Sequence, residues 1–242
     1  MISLSSFYHF ISSCPISIFP IFTGVIAQNH CINQPKDLDQ IHAIHVAGTK
    51  GKGSTSAFIS SILSQYLSSD SNTTDTTGKR KLRKIGLYTS PHLRFVRERI
   101  KINNEPLSEA KFAQYFFEVW DRLGAAASAA GQPADAPGTR PVYFRYLTLM
   151  AFHAYISEGV DTAVIECGIG GEYDSTNILV KPAVTAVTSL GIDHVGMLGG
   201  TLTEIAWHKA GIFKQAVSMA TLLSVRLNKN AVLKKTRRYA DG

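Results

Sequence analysis

The stretch Ile41–Leu67 constrains this chain more than any other. Ile41 to Val46 is a short, mainly apolar run bounded by glycine, the pattern of a buried strand. The loop Ala47-Gly48-Thr49-Lys50-Gly51-Lys52-Gly53-Ser54 follows, and then Phe58/Ile59, Ile62/Leu63 and Tyr66/Leu67 recur at helical spacing. Strand, glycine-rich turn, lysine and hydroxyl, then helix: this is the order in which a P-loop holds phosphate. Glycines let backbone N–H groups approach anionic oxygens, and the start of the helix adds partial positive charge. Gly48, Thr49, Lys50, Gly51, Lys52, Gly53, Ser54 and Thr55 are therefore the candidate phosphate-binding residues. Lys52 would reach the outer phosphates, and Ser54 or Thr55 would contact Mg²⁺. The order departs from G-x-x-x-x-G-K-[ST], because Gly53 separates the lysine from the hydroxyl and the first glycine is displaced. A glycine-rich βα turn of an ordinary α/β protein fits the same residues.

The 242 residues suffice for one α/β domain with an ample core, with or without extensions. Cys14, Cys31 and Cys167 form no C-x-x-C pair, so neither a disulfide framework nor a zinc signature is present, and a reducing compartment fits best. The net charge of +7 is unevenly placed. Beyond Gln215, Arg226, Lys229, Lys234, Lys235, Arg237 and Arg238 face Asp241 alone, so most of the excess belongs to a tail and does not point to nucleic acid. Residues 1–27 are apolar and serine-rich without Lys, Arg, Asp or Glu, so they lack the charges of a usual secretory or mitochondrial leader; an atypical leader, an edge segment and a faulty gene start are the readings, the last being preferred. Pro15 and Pro20 interrupt the run, so stable membrane insertion is not expected. Residues 1–34 thus read as an atypical segment and 216–242 as a basic tail, on either side of the body of the chain, 35–215.

Further along, Ser68–Arg83 is a polar insertion and Ile85–Thr89 a short strand running into Ser90-Pro91-His92-Leu93. Ser108–Leu123 is amphipathic, with Phe112, Tyr115, Phe116, Val119 and Leu123 on one stripe, and Gly124–Pro141 is a linker rich in Ala, Gly and Pro. Tyr143–Tyr155 is a buried helix leading to strand Thr162–Cys167, the turn Gly168-Ile169-Gly170-Gly171, and strand Val184–Ser189. Thr201-Leu202-Thr203-Glu204 has the spacing of a capping box and should start the helix carrying Trp207 and Lys209. Alternating strands and helices predict a parallel α/β sheet with right-handed crossovers. The polar clusters 47–54, 90–93, 166–171 and 193–194 each follow a strand, so all should share the carboxyl edge where open α/β sheets bind ligands. Glu166 ends an apolar strand and needs a partner there; a cation is the natural one, and His194 is a candidate nitrogen ligand. A salt bridge to lysine for Glu166 and a hydrogen-bonded turn for His194 are the plainer alternatives. Asp174 and Asn177 read as turn formers, and His9, His30, His42, His45, His153 and His208 as structural.

His45-Val-Ala-Gly-Thr-Lys-Gly-Lys-Gly-Ser54, Thr89-Ser-Pro-His-Leu93, Ile165-Glu-Cys-Gly-Ile-Gly-Gly171, Asp174-Ser-Thr-Asn177, Gly191-Ile-Asp-His194 and Trp207-His-Lys-Ala-Gly-Ile-Phe-Lys214 together resemble folylpolyglutamate synthase, of the Mur ligase-like family. Tyr143–His153 resembles its eukaryotic branch, and the resemblance spans Pro35–Gln215. It implies a P-loop-containing parallel sheet flanked by helices, like a Mur ligase central domain and incomplete at the C-terminus. It also accounts for Gly53, because the family places glycine between lysine and hydroxyl. The implied chemistry joins L-glutamate to the γ-carboxylate of tetrahydrofolate or folyl-polyglutamate at the expense of ATP. A carboxylate resists amine attack until phosphorylation gives it a leaving group, and lysine and metal ions neutralise the transferring phosphoryl group.

By resemblance, Lys52, Lys209 and His194 are catalytic, and Ser54, Ser90, Glu166 and His194 hold Mg²⁺, with K⁺ as an accessory ion. Thr89, Ser90, Pro91 and His92 are folate-site candidates, and Lys209 matches a lysine that the family carbamylates. On sequence alone Lys209 is an ordinary cation complementing a helix dipole. A monomer in the cytoplasm or mitochondrion is expected. Ala216–Gly242 departs from the family, whose members continue into a C-terminal domain, so a truncated gene product with weak ATP–Mg²⁺ binding and little ligation is the expectation.

Overall fold

The computed structural model describes residues 35–68, 82–215 and 217–221. The apolar segment 1–34, most of the polar insertion and most of the basic tail fall outside them. Strands β1 (Ile44–Ala47), β2 (Ile85–Tyr88), β3 (Ile100–Ile102), β4 (Glu105–Pro106), β5 (Thr162–Glu166), β6 (Val184–Val187) and β7 (Ser218–Thr221) form one sheet. Their order is β4-β3-β2-β5-β1-β6-β7. β2, β5, β1, β6 and β7 are mutually parallel, as the strand–helix alternation predicts. β7 pairs with β6 beyond Gln215, so the sheet continues past the boundary drawn there.

The antiparallel edge β2-β3-β4 is the departure from an all-parallel sheet. Its hairpin turns at Asn103 and Asn104, at φ 52° and 68°. Two consecutive left-handed residues make the turn whose twist matches a tight hairpin, and asparagine tolerates that conformation. The strands are only three and two residues long, too short for a period-two pattern to stand out.

Helix α1 (Lys52–Ser64) covers one face of the sheet, where Ile59 and Leu63 pack on Val46, Leu87 and Val164. The other half of its apolar stripe, Phe58, Ile62 and Tyr66, is exposed. Helices α2 (Glu109–Ala129) and α3 (Tyr143–Ser157), with the 3₁₀ turn Pro35–Ile41, build the larger core on the opposite face against Tyr88, Ala163 and Ile165. Successive strand residues thus serve opposite layers. α3 is buried continuously from Tyr146 to Tyr155, as a helix apolar all round must be. α2 runs past Leu123 through Gly124 to Ala129, so the expected linker begins later: the alanines there are good helix formers and extend the helix over the glycine. A short helix α4 (Val195–Leu198) precedes α5 (Leu202–Ala210). α5 starts in the expected capping box, the Thr201 hydroxyl accepting from Glu204 N at 3.2 Å and the Glu204 carboxylate from Thr201 N at 2.9 Å. Among the described residues no helix is long and apolar enough to cross a membrane.

Candidate nucleotide and metal site

Parallel β1, β5 and β6 put the loops that follow them side by side. The loop after β1 turns into α1 through Gly51, which caps the helix in the left-handed conformation without a side-chain hydrogen bond. The first amides of this 13-residue helix are therefore uncapped by any side chain, the arrangement that receives an anion. The loop is stitched to the segment after β6. Thr49 N donates to Ser189 O at 2.9 Å, Thr188 Oγ1 to Lys50 O at 2.7 Å, Ser189 Oγ to Lys50 O at 3.0 Å, and Thr49 Oγ1 to Gly191 O at 3.1 Å. Lys50 spends its charge on an exposed ion pair with Asp193, 3.3 Å away. Gly48 is required by close approach, because a Cβ there would stand 1.8 Å from Thr188 Oγ1.

Two lysines converge on one carbonyl. Lys52 Nζ bends back to Gly48 O at 3.2 Å, and Lys209 Nζ, from the last turn of α5, reaches the same oxygen at 2.8 Å. Lys209 is 2% exposed, and burial, with the neighbouring Lys52 charge second, lowers its pKa to about 8. α5 is held there by the turn after β5: Glu172 N donates to His208 O at 2.7 Å. Gly171 permits this contact, since its Cβ would meet the His208 and Lys209 carbonyls within 2.8 Å.

Glu166, at the end of β5, is 3% exposed. Its Oε2 accepts from Ser90 N at 3.0 Å, and its carboxylate lies below 4 Å from where a Cβ on Gly53 would stand. Among the described residues it has no ion pair within 4.0 Å, so burial raises its pKa, against the opposing pull of Ser90 N–H and Lys52. A buried carboxylate with one neutral donor fits a hard cation, and the hydroxyls of Ser54 and Ser90 belong to the two segments that meet it. His194 is exposed and left-handed (φ 49°), its amide bonded to Asp193 Oδ1 at 2.9 Å. No group of three or more His, Cys, Asp or Glu side chains gathers as a metal cluster among the described residues. The structure thus unites Lys52, Lys209, Gly48, Gly53, Glu166 and Ser90, while no contact joins His194 to them.

The folate-site candidates line the loop after β2. Thr89 N bonds Arg99 O at 3.1 Å, Pro91 is exposed, and His92 Nδ1 accepts from Arg99 Nε at 2.9 Å. Arg99 is a residue that motif reading passed over: it is buried, lies over the Tyr143 ring at 5.5 Å, and adds its charge to the field at Glu166. Asp174 is the turn former that its place after Gly170-Gly171 suggests. Its carboxylate accepts from Ile169 N at 2.9 Å, Thr176 N at 3.0 Å and Thr176 Oγ1 at 2.6 Å, fixing the turn after β5. Thr176 Oγ1 also meets His45 Nε2 at 2.8 Å, and His45, wholly buried in β1, has its pKa lowered to about 3 by that burial.

A glycine-rich loop at the carboxyl edge of a mainly parallel sheet, with a buried carboxylate and two lysines beside it, is the arrangement of a P-loop α/β fold. No protein-family model matches the chain. Among curated proteins it is 55% identical over 193 residues to a probable folylpolyglutamate synthase of Schizosaccharomyces pombe, covering 79% of this chain and 35% of that one. It is 54% identical over 187 residues to the folylpolyglutamate synthase of Saccharomyces cerevisiae strain YJM789, covering 77% and 32%. Among solved structures, an FPGS–AMPPCP–folate complex superposes with a TM-score of 0.73 at 29% identity, over 98% of this chain and 52% of that one. The chain therefore spans about a third of the length of the curated relatives it matches. In sequence and fold it is related to the folylpolyglutamate synthases, matching part of such a protein.

Proposed function

We propose that this chain supplies the nucleotide and metal side of an ATP-dependent ligase that adds L-glutamate to the γ-carboxylate of tetrahydrofolate or folyl-polyglutamate through an acyl phosphate. The observation that carries the reading is the placement of Glu166 between Ser90 N and Gly53, on the rim that bears Lys52 and Lys209. In this reading the amides of the loop and of the first turn of α1 cradle the phosphates, and Lys52 leaves the Gly48 carbonyl to meet the outer ones. Ser54, Ser90 and Glu166 would hold Mg²⁺, with His194 as a further ligand contributed by the β6 loop. The metal, when bound, neutralises charge on the phosphoryl group in transfer. Thr89, Ser90, Pro91 and His92 would face the folate, and the amine of glutamate would displace phosphate from the activated carboxyl. A protein related by sequence has been solved with AMPPCP and folate together, which supports nucleotide and folate as the two ligands.

Lys209 enters as a carbamate. With its pKa near 8, an appreciable part of the amine is neutral just above neutral pH, and only the neutral amine attacks CO₂. The product keeps one N–H for the Gly48 carbonyl while converting a repelling ammonium into a metal-compatible anion. ¹³C NMR of the chain in ¹³CO₂-bicarbonate should show a carbamate resonance that Lys209→Met removes; an identical spectrum in that variant ends the assignment.

The test of the whole reading is ATP–Mg²⁺ binding by equilibrium dialysis alongside transfer of labelled glutamate to tetrahydrofolate. Lys52→Ala should cost about 2 kcal/mol of nucleotide affinity, roughly thirtyfold, and Lys50→Ala much less, since Lys50 is engaged with Asp193. Equal losses overturn the P-loop assignment. Binding without transfer favours the second reading, a non-catalytic ATP–Mg²⁺-binding chain.

A further inference from the structure

Arg94, Arg97 and Arg99 fall within six residues on the loop that leaves Ser90. Among the described residues none of them has a carboxylate within ion-pair distance. The acid in their midst, Glu98, is committed elsewhere: its oxygens accept from Leu93 N at 2.9 Å, Phe95 N at 2.8 Å and Arg94 N at 3.2 Å. These backbone bonds, chiefly those from Phe95 and Leu93, hold its pKa below the usual carboxylate value, so it stays ionised and folds the loop. Arg94 and Arg97 meanwhile lie on the ring of Phe95, their guanidinium carbons 4.8 and 5.3 Å from its centre. Arg97 spends one N–H on Leu107 O at 3.2 Å, while its buried Nε–H has no partner. Two guanidinium groups gathered on one ring, the acid beside them turned to backbone N–H groups and paired with neither guanidinium, make a site for an anion that arrives from outside.

We propose that Arg94 and Arg97, presented on Phe95, bind the α-carboxylates of a γ-linked oligoglutamate chain, the tail of the substrate being extended. The proposal rests on the ligase reading above, which supplies the substrate class. Linkage through the γ-carboxyl leaves one free α-carboxylate on every residue, so a growing tail is a string of anions. Ser90, whose amide touches Glu166, begins the loop that carries the two arginines four and seven residues later. A tail running from the reacting end along this loop meets them in turn, and a planar guanidinium pairs with a carboxylate through two parallel N–H bonds.

Isothermal titration of the purified full chain with free tetra-γ-L-glutamate, L-glutamate and tetra-α-L-glutamate tests this, with ATP–Mg²⁺ titrated on the same samples. The γ-tetramer should bind, more weakly at higher salt, and L-glutamate should not. Arg94→Ala/Arg97→Ala should lower γ-tetramer affinity about tenfold or more while leaving ATP binding unchanged. Arg94→Glu, on an exposed side chain, gives the same readout if the double variant unfolds. No binding of the γ-tetramer, undiminished binding by the variants, or equal binding of the α-tetramer overturns the proposal. Loss of ATP binding in the unaltered chain would instead overturn the ligase reading, so the two failures are distinguishable.

Discussion

A single missing side chain shapes the phosphate loop. Gly48 passes Thr188 so closely that a methyl group there would overlap its hydroxyl, and that hydroxyl in turn holds the Lys50 carbonyl. Gly48→Ala should therefore shift the loop, lowering stability by about 1–3 kcal/mol and weakening ATP binding. Thermal melts should show part of the stability returning in Gly48→Ala/Thr188→Ala, and melts in which the single change costs nothing would refute this packing argument. The glycines, Lys52 and Glu166 were legible in the sequence because each breaks a local rule: flexibility beside a strand, or charge at an apolar strand end. Thr188, Ser189 and Arg99 were not, because hydroxyls and arginines are common on loops and acquire meaning only from partners far away in the chain. His194 was a candidate ligand only from its place after a strand, and it stands exposed and without a contact to Glu166, since sequence order places a residue on an edge without aiming its side chain.

At the scale of elements, every parallel strand up to β6 announced itself as an apolar run ending at a polar loop, and α3 and α5 by burial pattern and capping box. The hairpin Ile100–Pro106 escaped, since its sheet pairing is too brief to impose alternation, although Asn103-Asn104 marked its turn. The turn after β5 is where element and site meet, because Asp174 holds the backbone that seats α5, and with it Lys209. Asn in its place keeps one acceptor but turns an amide donor toward a backbone N–H. Asp174→Asn should thus lower stability by about 1–3 kcal/mol, and hydrogen exchange should quicken at Ile169 and Thr176 before it does so in β1 or β5. Uniform acceleration through the sheet would mean that Asp174 supports the whole fold and not this turn.

For the molecule as a whole, the buried Glu166 carboxylate carries a cost in stability that the proposed cation would offset. Glu166 is ionised at neutral pH in the unfolded chain, whereas burial in the folded chain raises its pKa. Between those two values the folded state binds more protons, so this group's contribution to stability falls as pH rises through the carboxylate range and stays low above it. Glu166→Gln removes the charge while keeping the shape. It should therefore stabilise the metal-free chain by about 0.5–2 kcal/mol at pH 7, with the advantage shrinking toward pH 4, where both states protonate the wild-type carboxyl. Mg²⁺ should raise the wild-type Tm at pH 7 by stabilising only the folded state, and should leave the Tm of the variant nearly unmoved. Melts at pH 4 and pH 7, each with and without Mg²⁺, give all four comparisons. If Glu166→Gln is the less stable protein at pH 7, then Ser90 and Lys52 already satisfy the carboxylate, and no cation is needed to explain why a charge lies buried at the end of β5.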